Sequence, residues 1–318
     1  PPTKKEVKKR RISLLSMALF MLVSIWMSRN ILWAAVWPKE LDFSKPIANV
    51  TNTVTDFIVN NFQFFTEGFK NFISNYVLNT LQLLLAGSPW FITIVMLSLI
   101  AYLIGGLRVT FVALGLMILI IATGLWYETM VTLTQTIVAT ILTMMIGIVL
   151  GIWIGRNKKA DQILRPFLDA GQTLPAFVYL VPMLGLFGPT RFTAIATGIV
   201  YSIPIVVKIV GEGIRNVSSS MVEAATSAGS TAWQIITKVQ IPAAKRALLL
   251  ATNQGLIFVL AVVVIGGYVG AGALGYLVIV GNSKPELQGK GLIAGLCIVL
   301  LGIIIDRIAQ AGAKKYGN

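Results

Sequence analysis

Histidine is absent from the 318 residues, and Cys297 is the single cysteine. Without histidine the chain has no Ser–His or Cys–His catalytic pair and no histidine-ligated metal site. One thiol cannot form a disulfide within the chain, and the apolar residues around Cys297 indicate a small buried side chain. No segment follows the G-x-x-x-x-G-K-[ST] pattern, so the chain has no P-loop of its own.

Charged residues are also scarce. Only 12% of the residues are charged, whereas 56% are hydrophobic and the mean hydropathy is +0.82. A water-soluble domain of this size cannot carry so much apolar surface, so the composition predicts an all-α polytopic membrane protein. The net charge of +14 would suit nucleic acid, but the basic residues cluster at the ends of apolar stretches, where they set membrane orientation. We therefore expect membrane lipid, and no nucleic acid, among the partners.

Apolar stretches long enough to cross a bilayer recur along the chain. The first follows six basic residues and favours an uncleaved membrane anchor over a cleavable signal peptide. Eight transmembrane helices are predicted, at residues 12–37, 89–104, 107–126, 129–155, 167–187, 191–210, 246–268 and 291–309. This topology places 19 of the 26 Lys and Arg residues inside and 7 outside, which predicts that both termini are cytoplasmic.

The predicted organisation has five parts. They are a basic N-terminus with the first transmembrane helix (1–37), an extracytoplasmic amphipathic segment (38–88), two transmembrane helices (89–126), a core (127–310) with a cytoplasmic loop (211–245), and a cytoplasmic tail (311–318). In the second part, residues 53–84 interleave aromatic and polar residues at helical spacing, which indicates an amphipathic helix on the outer membrane surface. A helix packed against the rest of the protein would show the same pattern.

Glycine and proline mark special positions within the spans. Two G-x-x-x-G patterns predict close helix contacts; they comprise Gly147, Gly151 and Gly155 in one span and Gly291 and Gly295 in another. Three prolines remove backbone donors inside the membrane, which fits either a water-lined pathway or simple kinks. These prolines are Pro175, Pro182 and Pro204.

The loop VEAATSAGSTAWQIITKVQIP, residues 222–242, is too polar to cross a bilayer but is patterned to form helices. Ser220 and Glu223 have the spacing of a capping box that starts a helix, and Gly229 would end it. A second helix would then run until Pro242 blocks further turns. Taken singly, these residues would also fit a loop that only packs on the ends of the chain's own spans.

The joint spacing within this loop resembles the signature of permease subunits of ATP-binding-cassette importers. The matching residues are Glu223, Ala224, Ala225, Gly229, Val239, Ile241 and Pro242. The resemblance implies the fold of a type I importer permease, whose cytoplasmic coupling helix docks on a separate ATPase subunit present in two copies. That ATPase would bind ATP and Mg, so this chain would be no enzyme and would hold no cofactor. A second copy of the permease would complete the pathway.

A finer resemblance points to the glycine betaine/proline subfamily of these permeases. It is carried by LDAGQTLPAFVYLVPMLGLFG (168–188), KVQIPAAKRALLLATNQ (238–254) and IIIDRIAQ (303–310). The resemblance implies a bacterial cytoplasmic membrane protein that imports osmoprotective compatible solutes such as glycine betaine, proline, choline or trimethylamine N-oxide. Some relatives continue into a fused binding domain, whereas this sequence stops after AGAKKYGN, so we expect a separate extracytoplasmic binding protein.

Candidate pathway residues lie in one proline-containing span. They are Gln172, Thr173, Pro175, Phe177 and Tyr179. Amide and hydroxyl groups in a span need partners or water, and aromatic faces attract quaternary ammonium groups. Helix–helix packing would explain the same residues. Outside this set, Arg165 and Asp169 have the i, i+4 spacing of an ordinary ion pair, and Asp306 and Arg307 are expected to be structural or to face the ATPase.

Two other functions remain compatible with these patterns. An importer of the same class could carry an amino acid such as methionine, because the loop motif is shared across importers. An ion-coupled secondary transporter is less favoured, since it would keep ionisable residues deep in its spans and none lies clearly at mid-span here.

Overall fold

The computed structural model describes residues 4–31 and 43–316. Every regular element in these two ranges is helical, which confirms the predicted all-α class. Parts of four predicted segments lie outside the described residues: the extreme N-terminus (1–3), the end of the first span (32–37), the start of the outer segment (38–42) and the end of the tail (317–318). The chain divides into two units, residues 1–57 and 58–318.

The first unit contains α1, Lys4–Asn30, and most of α2, Ser44–Asn61. The apolar part of α1, Lys9–Asn30, is long enough to cross a membrane. Thr and Asn residues interrupt the apolar pattern of α2, and this helix buries none of its side chains. Because α2 ends at Asn61, the amphipathic helix predicted at 53–84 is not one continuous α-helix.

The second unit contains the remaining helices. They are α3 (Asn79–Leu85), α4 (Trp90–Ala122), α5 (Trp126–Arg156), α6 (Lys158–Thr173), α7 (Leu180–Phe187), α8 (Arg191–Arg215), α9 (Ser219–Ser227), α10 (Ala232–Ile235), α11 (Lys245–Ile265), α12 (Ala273–Ser283) and α13 (Gln288–Tyr316). Short 3-10 helices lie at Ala176–Tyr179, Gly266–Val269 and Pro285–Leu287, and π-helical stretches lie at Phe64–Phe69, Ile73–Leu78 and Ile236–Gln240. Lys70–Phe72 and Ile241–Ala243 are single helical turns.

The described residues contain six helices long and apolar enough to cross a membrane, or seven if α6 and α7 together count as one bent span. The prediction of eight differs because it divided α4 into two spans. Gly106 does interrupt α4, with a φ of 71° and a ψ of −175° that are not helical. Ile104 lies beside Gly312, whereas the Thr123 hydroxyl lies 3.2 Å from the Cys297 sulfur. From the Gly106 turn, the second half of α4 therefore runs antiparallel to α13.

Close contact between α5 and α8 forms the centre of the second unit. A methyl group at Gly151 would lie 2.6 Å from the Val210 Cβ, and one at Gly155 would lie 2.7 Å from the carbonyl oxygen of Gly211. The first predicted glycine pattern is thus a close helix contact, as expected. In the second pattern only Gly291 makes a close helix contact, with the backbone of Gly281. Among the described residues, no atom lies within 4 Å of the missing Cβ of Gly295.

The predicted span 167–187 is not straight. The chain changes direction by 109° between α6 and the following segment, Ala176–Phe187. Leu174 and Pro175 are extended at the corner, with ψ angles of 133° and 138°. A proline disfavours helical geometry in the residue before it and donates no hydrogen bond, which accounts for the break. Pro204 breaks no helix, because α8 continues through it.

The helical stretch before α4 packs against the core of the second unit. Ile73 and Leu78 are buried, and the Phe69 ring meets that of Phe192 edge to face at 6.0 Å. Arg191 donates hydrogen bonds to the Gln82 and Asn79 side chains at 2.6 and 2.8 Å. Residues 64–85 are therefore packed against the rest of this unit, which was the alternative to a helix on the outer membrane surface.

Candidate functional site

The polar loop after α8 begins with α9, and the start of that helix differs from the prediction. The N-cap residue is Ser218, without a side-chain cap, and its hydroxyl lies 2.6 Å from that of Ser220. Ser220 is therefore inside the helix and forms no capping box with Glu223, whose side chain is exposed. The predicted box is wrong because the N-cap lies two residues before the predicted one, and the Ser220 hydroxyl meets that of Ser218 instead of capping a backbone N–H.

The end of α9 has the predicted glycine turn. Gly229 has a φ of +76°, in the left-handed region where glycine is favoured. Its N–H donates to the Thr226 carbonyl at 2.9 Å, and the Ser230 N–H donates to the Ala225 carbonyl at 3.0 Å. This pair of bonds is a Schellman motif. Nothing lies within 4 Å of the missing Cβ of Gly229, so the turn is open on its outer side.

The second helix of the loop ends beside the proline that was expected to stop it. Thr231 and Gln234 form the capping box of α10. The backbone then widens into the π-helical stretch Ile236–Gln240 and runs through the single turn Ile241–Ala243, which contains Pro242. The helix ends after this turn, since Ala244 has a φ of −89° and a ψ of 6°, outside the helical region. No further turn follows Pro242 before this break, as predicted.

One face of the loop is tied to the core and the other is free. Gln240 is buried and accepts a hydrogen bond from Arg156 at the end of α5. Ile235 is also buried, whereas Trp233 exposes 72% of its surface. Of the motif residues, Glu223, Ala224, Gly229 and Pro242 thus lie on the surface, whereas Ala225, Val239 and Ile241 are half-buried.

Beside the loop, a carboxylate joins three elements of the core. Asp161, near the start of α6, binds Arg165 at 3.0 Å and Arg215 at 2.9 Å. Arg215 is the last residue of α8, and its guanidinium also reaches the Ile154 carbonyl of α5 at 3.4 Å. This charged contact fixes the bent span to the helix that leads into the loop.

The ion pair predicted between Arg165 and Asp169 is not formed. Arg165 binds Asp161 instead, and Asp169 pairs with Lys208 of α8. The Lys208 ammonium also donates to the Gln172 amide oxygen at 2.6 Å. Lys208 was missed as a site residue, because it lies 36 positions from Gln172 in the sequence.

The candidate pathway residues cluster around the corner between α6 and α7. Pro175 occupies the corner, and the Thr173 hydroxyl donates to the Ala170 carbonyl at 2.8 Å. Across the corner, the Tyr179 hydroxyl donates to the Gly171 carbonyl at 2.5 Å. These bonds satisfy backbone carbonyls at the helix end that the proline break would otherwise leave without donors.

Three aromatic residues from other elements join this corner. Phe177 meets Tyr268 edge to face at 5.5 Å. Tyr179 meets Tyr201 at 5.7 Å, and Tyr201 stacks on Phe258 at 5.5 Å. Tyr201 belongs to α8, Phe258 to α11 and Tyr268 to Gly266–Val269. No local spacing connects these residues, so the sequence carried no signal for the cluster. We call these five rings the aromatic cluster.

The acidic residue near the end of α13 has structural partners. Asp306 accepts hydrogen bonds from Asn253 at 3.3 Å and from Gln310 at 2.8 Å. In the described part of the chain, no three His, Cys, Asp or Glu side chains come together in a way that could hold a metal ion.

A comparison of the sequence with known protein families gives a match. Residues 147–317 match the family described as the inner membrane component of binding-protein-dependent transport systems. That range contains the loop, the bent span and the aromatic cluster.

Two curated relatives share more than a third of the aligned residues. The chain is 38% identical over 190 residues to the glycine betaine/carnitine transport permease protein GbuB of Listeria monocytogenes, covering 60% of this chain and 67% of that protein. It is 37% identical over 221 residues to the glycine betaine/proline betaine transport system permease protein ProW of Escherichia coli, covering 69% of this chain and 62% of that protein. The chain thus matches a little under two thirds of the length of the latter.

The fold is also found among solved structures. An inward-facing structure of the MetNI methionine ABC transporter matches with a TM-score of 0.50 and 24% identity, over 58% of this chain and 91% of the compared chain. At this identity the likeness concerns the arrangement of helices.

Proposed function

We propose, from the premise that the chain belongs to the family of inner membrane components of binding-protein-dependent transport systems, that it forms the translocation pathway of an ATP-driven importer of compatible solutes. The observation that carries the proposal is the loop from Ser219 to Ala243, which is fixed to the core on one face and exposed on the other. Its exposed face includes Glu223, Gly229 and Trp233. A helix held rigidly at one side and open at the other is suited to transmit movement from a docked partner.

The partners follow from this role. An ATPase subunit, in two copies, would bind the exposed face of the loop and supply ATP and Mg. A second copy of this chain would face the exposed corner of the bent span, and a separate extracytoplasmic binding protein would deliver the solute. The network of Asp161, Arg165 and Arg215 supports coupling, because it links the loop to the corner through α6 and α8.

The proposed cargo is glycine betaine or a related methylated amine, with proline, choline and trimethylamine N-oxide as near alternatives. The named substrates of the two curated relatives support this class. The aromatic cluster supports it physically, because ring faces attract quaternary ammonium groups. Phe177 and Tyr268 expose 50% and 58% of their surfaces, so their rings can meet a passing solute. Several weak contacts suit a pathway, since a tight site would slow release.

The proposed orientation places both termini and the loop in the cytoplasm. The distribution of Lys and Arg supports it, since positively charged residues concentrate on the cytoplasmic side of membrane proteins. ATP in the cytoplasm would then reach the ATPase that docks on the loop.

Transport in vesicles tests the function. The full chain is reconstituted with its ATPase and binding protein, and uptake of radiolabelled glycine betaine is followed with ATP inside the vesicles. We expect accumulation that requires ATP hydrolysis and the binding protein. Accumulation of methionine without glycine betaine would overturn the cargo, and accumulation on an ion gradient without ATP would overturn the importer mechanism.

A further inference from the structure

A pocket of about 550 Å³ lies where the Gly106 turn of α4 meets the last turns of α13. Four of the residues that line it are basic, Arg108, Arg307, Lys314 and Lys315, and none of its lining residues is acidic. We call it the basic pocket. Its position on helices α4 and α13 is separate from both the loop and the aromatic cluster.

Three of the four cations of the basic pocket have no ion pair within the described part of the chain. Among the described residues, no carboxylate forms an ion pair with Arg108, Arg307 or Lys314. Asp306, the neighbour of Arg307, accepts hydrogen bonds from two amide side chains instead. An anion that enters the pocket would therefore meet three cations that are not neutralised by an ion pair with a described carboxylate.

The end of α13 is held in place beside this charge. The Lys315 ammonium donates to the Leu103 carbonyl oxygen of α4 at 2.7 Å. A methyl group at Gly312 would lie 3.2 Å from Ile104, so the two helices are in close contact just below the pocket. The cations consequently project from two helices whose separation is fixed.

An apolar cavity of about 390 Å³ adjoins the basic pocket, and Ile104 lines both. Its walls come from α4, α5, α11 and α13, and Thr252 is the single polar residue among them. The Thr252 hydroxyl already donates to the Leu248 carbonyl at 2.9 Å. The volume is within the range of roughly 300–1,000 Å³ that ligand pockets occupy. An apolar ligand would leave no hydrogen-bonding group unsatisfied there.

The two spaces follow one another along α13. Leu301, Ile304 and Ile308 line the apolar cavity, whereas Arg307 and Lys314 line the basic pocket nearer the helix end. The apolar cavity also opens towards the side of the bundle, where Ile100 exposes 41% of its surface. A ligand that fits both spaces needs an anionic head and an apolar chain that can enter from the bilayer.

We propose that this junction binds an anionic glycerophospholipid, with its phosphodiester in the basic pocket and one acyl chain in the apolar cavity. Arg108 and Arg307 can each present two parallel N–H donors to phosphate oxygens, and Lys314 adds a compact charge. Basic pockets between transmembrane helices recognise lipid head groups in this way. A bound lipid would join α4 to α11 and α13. The proposal does not depend on the cargo or on the ATPase.

Native mass spectrometry of the full chain purified in detergent tests the proposal. The chain is incubated with equal amounts of phosphatidylglycerol and phosphatidylcholine that carry the same acyl chains. We expect the chain to retain phosphatidylglycerol at least five-fold over phosphatidylcholine. In the double variant Arg108→Gln/Arg307→Gln the preference should disappear, whereas Lys284→Gln/Lys290→Gln, which removes two exposed charges elsewhere, should keep it.

A second pair of variants tests the acyl chain. Ile100→Trp fills the rim of the apolar cavity and should lower retention of phosphatidylglycerol several-fold, whereas Leu99→Trp, at an exposed neighbouring position outside the lining, should not. The comparison of Ile100→Trp with Leu99→Trp tests lipid binding even if the double arginine variant aggregates. Equal retention of the two lipids by the unmodified chain, or equal losses in Ile100→Trp and Leu99→Trp, would overturn the proposal. Displacement of phosphatidylglycerol by inorganic phosphate would identify a free phosphate site instead.

Discussion

Glycine has opposite surroundings in two regions of this molecule. In α5, a Cβ at Gly151 would collide with Val210, because α8 lies directly against the helix. In the loop, a Cβ at Gly229 would meet no atom of the described residues within 4 Å, yet the left-handed φ of +76° still favours glycine. Gly151 allows α5 and α8 to pack closely, whereas Gly229 forms a turn on the exposed surface of the loop.

The difference separates a packed frame, the contact between α5 and α8, from the proposed docking surface on the loop. The contact between α5 and α8 is complete within one copy of the chain, and its side chains are largely buried. The loop from Ser219 to Ala243 leaves most of its motif exposed. Substitutions in the frame should therefore act on stability, whereas substitutions in the loop should act on transport.

The largest effect is expected from Gly151→Leu. Overpacking a close helix contact costs about 1–3 kcal/mol, and Leu at this position would force α5 away from Val210. We expect a large loss of monodisperse protein after detergent extraction and a lower melting temperature, measured by size-exclusion chromatography after heating. Gly115→Leu is the control, because nothing lies within 4 Å of its missing Cβ. Equal stability of the two variants would contradict the frame assignment.

Gly229→Leu should abolish transport while the chain remains folded. The left-handed conformation costs a residue with a side chain roughly 1–2 kcal/mol, and the leucine would occupy the face on which the ATPase is proposed to dock. We expect ATP-driven uptake to fall below about a tenth of the unmodified level, with normal membrane insertion.

Gly124→Leu is the matched control for that variant. Gly124 has a φ of +75° and open space around its missing Cβ, so the backbone strain is the same, but it lies between α4 and α5 rather than in the loop. Uptake should survive in Gly124→Leu. If both variants lose uptake equally, strain rather than docking explains the effect.

A moderate effect is expected from Tyr201→Leu in the aromatic cluster. Tyr201 lies between Tyr179 and Phe258, and a ring face contributes up to about 2 kcal/mol to binding a desolvated cation. Uptake of glycine betaine at low concentration should fall several-fold, and Tyr201→Phe should restore most of it because the ring remains. Tyr102→Leu, at an exposed tyrosine of α4, should leave uptake unchanged. Loss in Tyr102→Leu as well would remove the special role of the cluster.

The smallest effect is a labelling difference that leaves transport intact. In a Cys297→Ser background, Ser230→Cys should react with an impermeant maleimide only after the membrane is opened, whereas Ser283→Cys should react in intact cells. Ser230 follows the Gly229 turn and Ser283 is the exposed last residue of α12. Labelling of position 230 in intact cells would place the loop outside and reject its proposed role.

Several features of the site were predictable because they depend on neighbouring residues. A glycine after a helix-forming run indicates a left-handed turn, and Gly229 forms one. Glycines four apart indicate a helix contact, and Gly151 makes it. The family resemblance was likewise carried by a local motif, and the match over residues 147–317 confirms it.

Other features depended on choices that local spacing leaves open. Arg165 lies four residues from both Asp161 and Asp169, so the sequence allows either ion pair. The structure selects Asp161, because Arg215 binds the same carboxylate and Lys208 takes Asp169. Hydropathy likewise does not say whether the apolar stretch 90–122 turns or runs on; the structure interrupts it at Gly106, where the predicted division into two spans also falls.

The sequence by itself determined the membrane class, the helical composition and the patterned loop, because hydropathy and backbone preference are properties of residues close together in the chain. Tertiary structure alone decided the aromatic cluster and the junction of the basic pocket with the apolar cavity. The Lys315–Leu103 hydrogen bond joins residues 212 positions apart, and Tyr201 stacks on Phe258 from a different helix. Such groups meet only when whole helices pack, and packing is set by the fit of side chains from distant segments rather than by any local pattern.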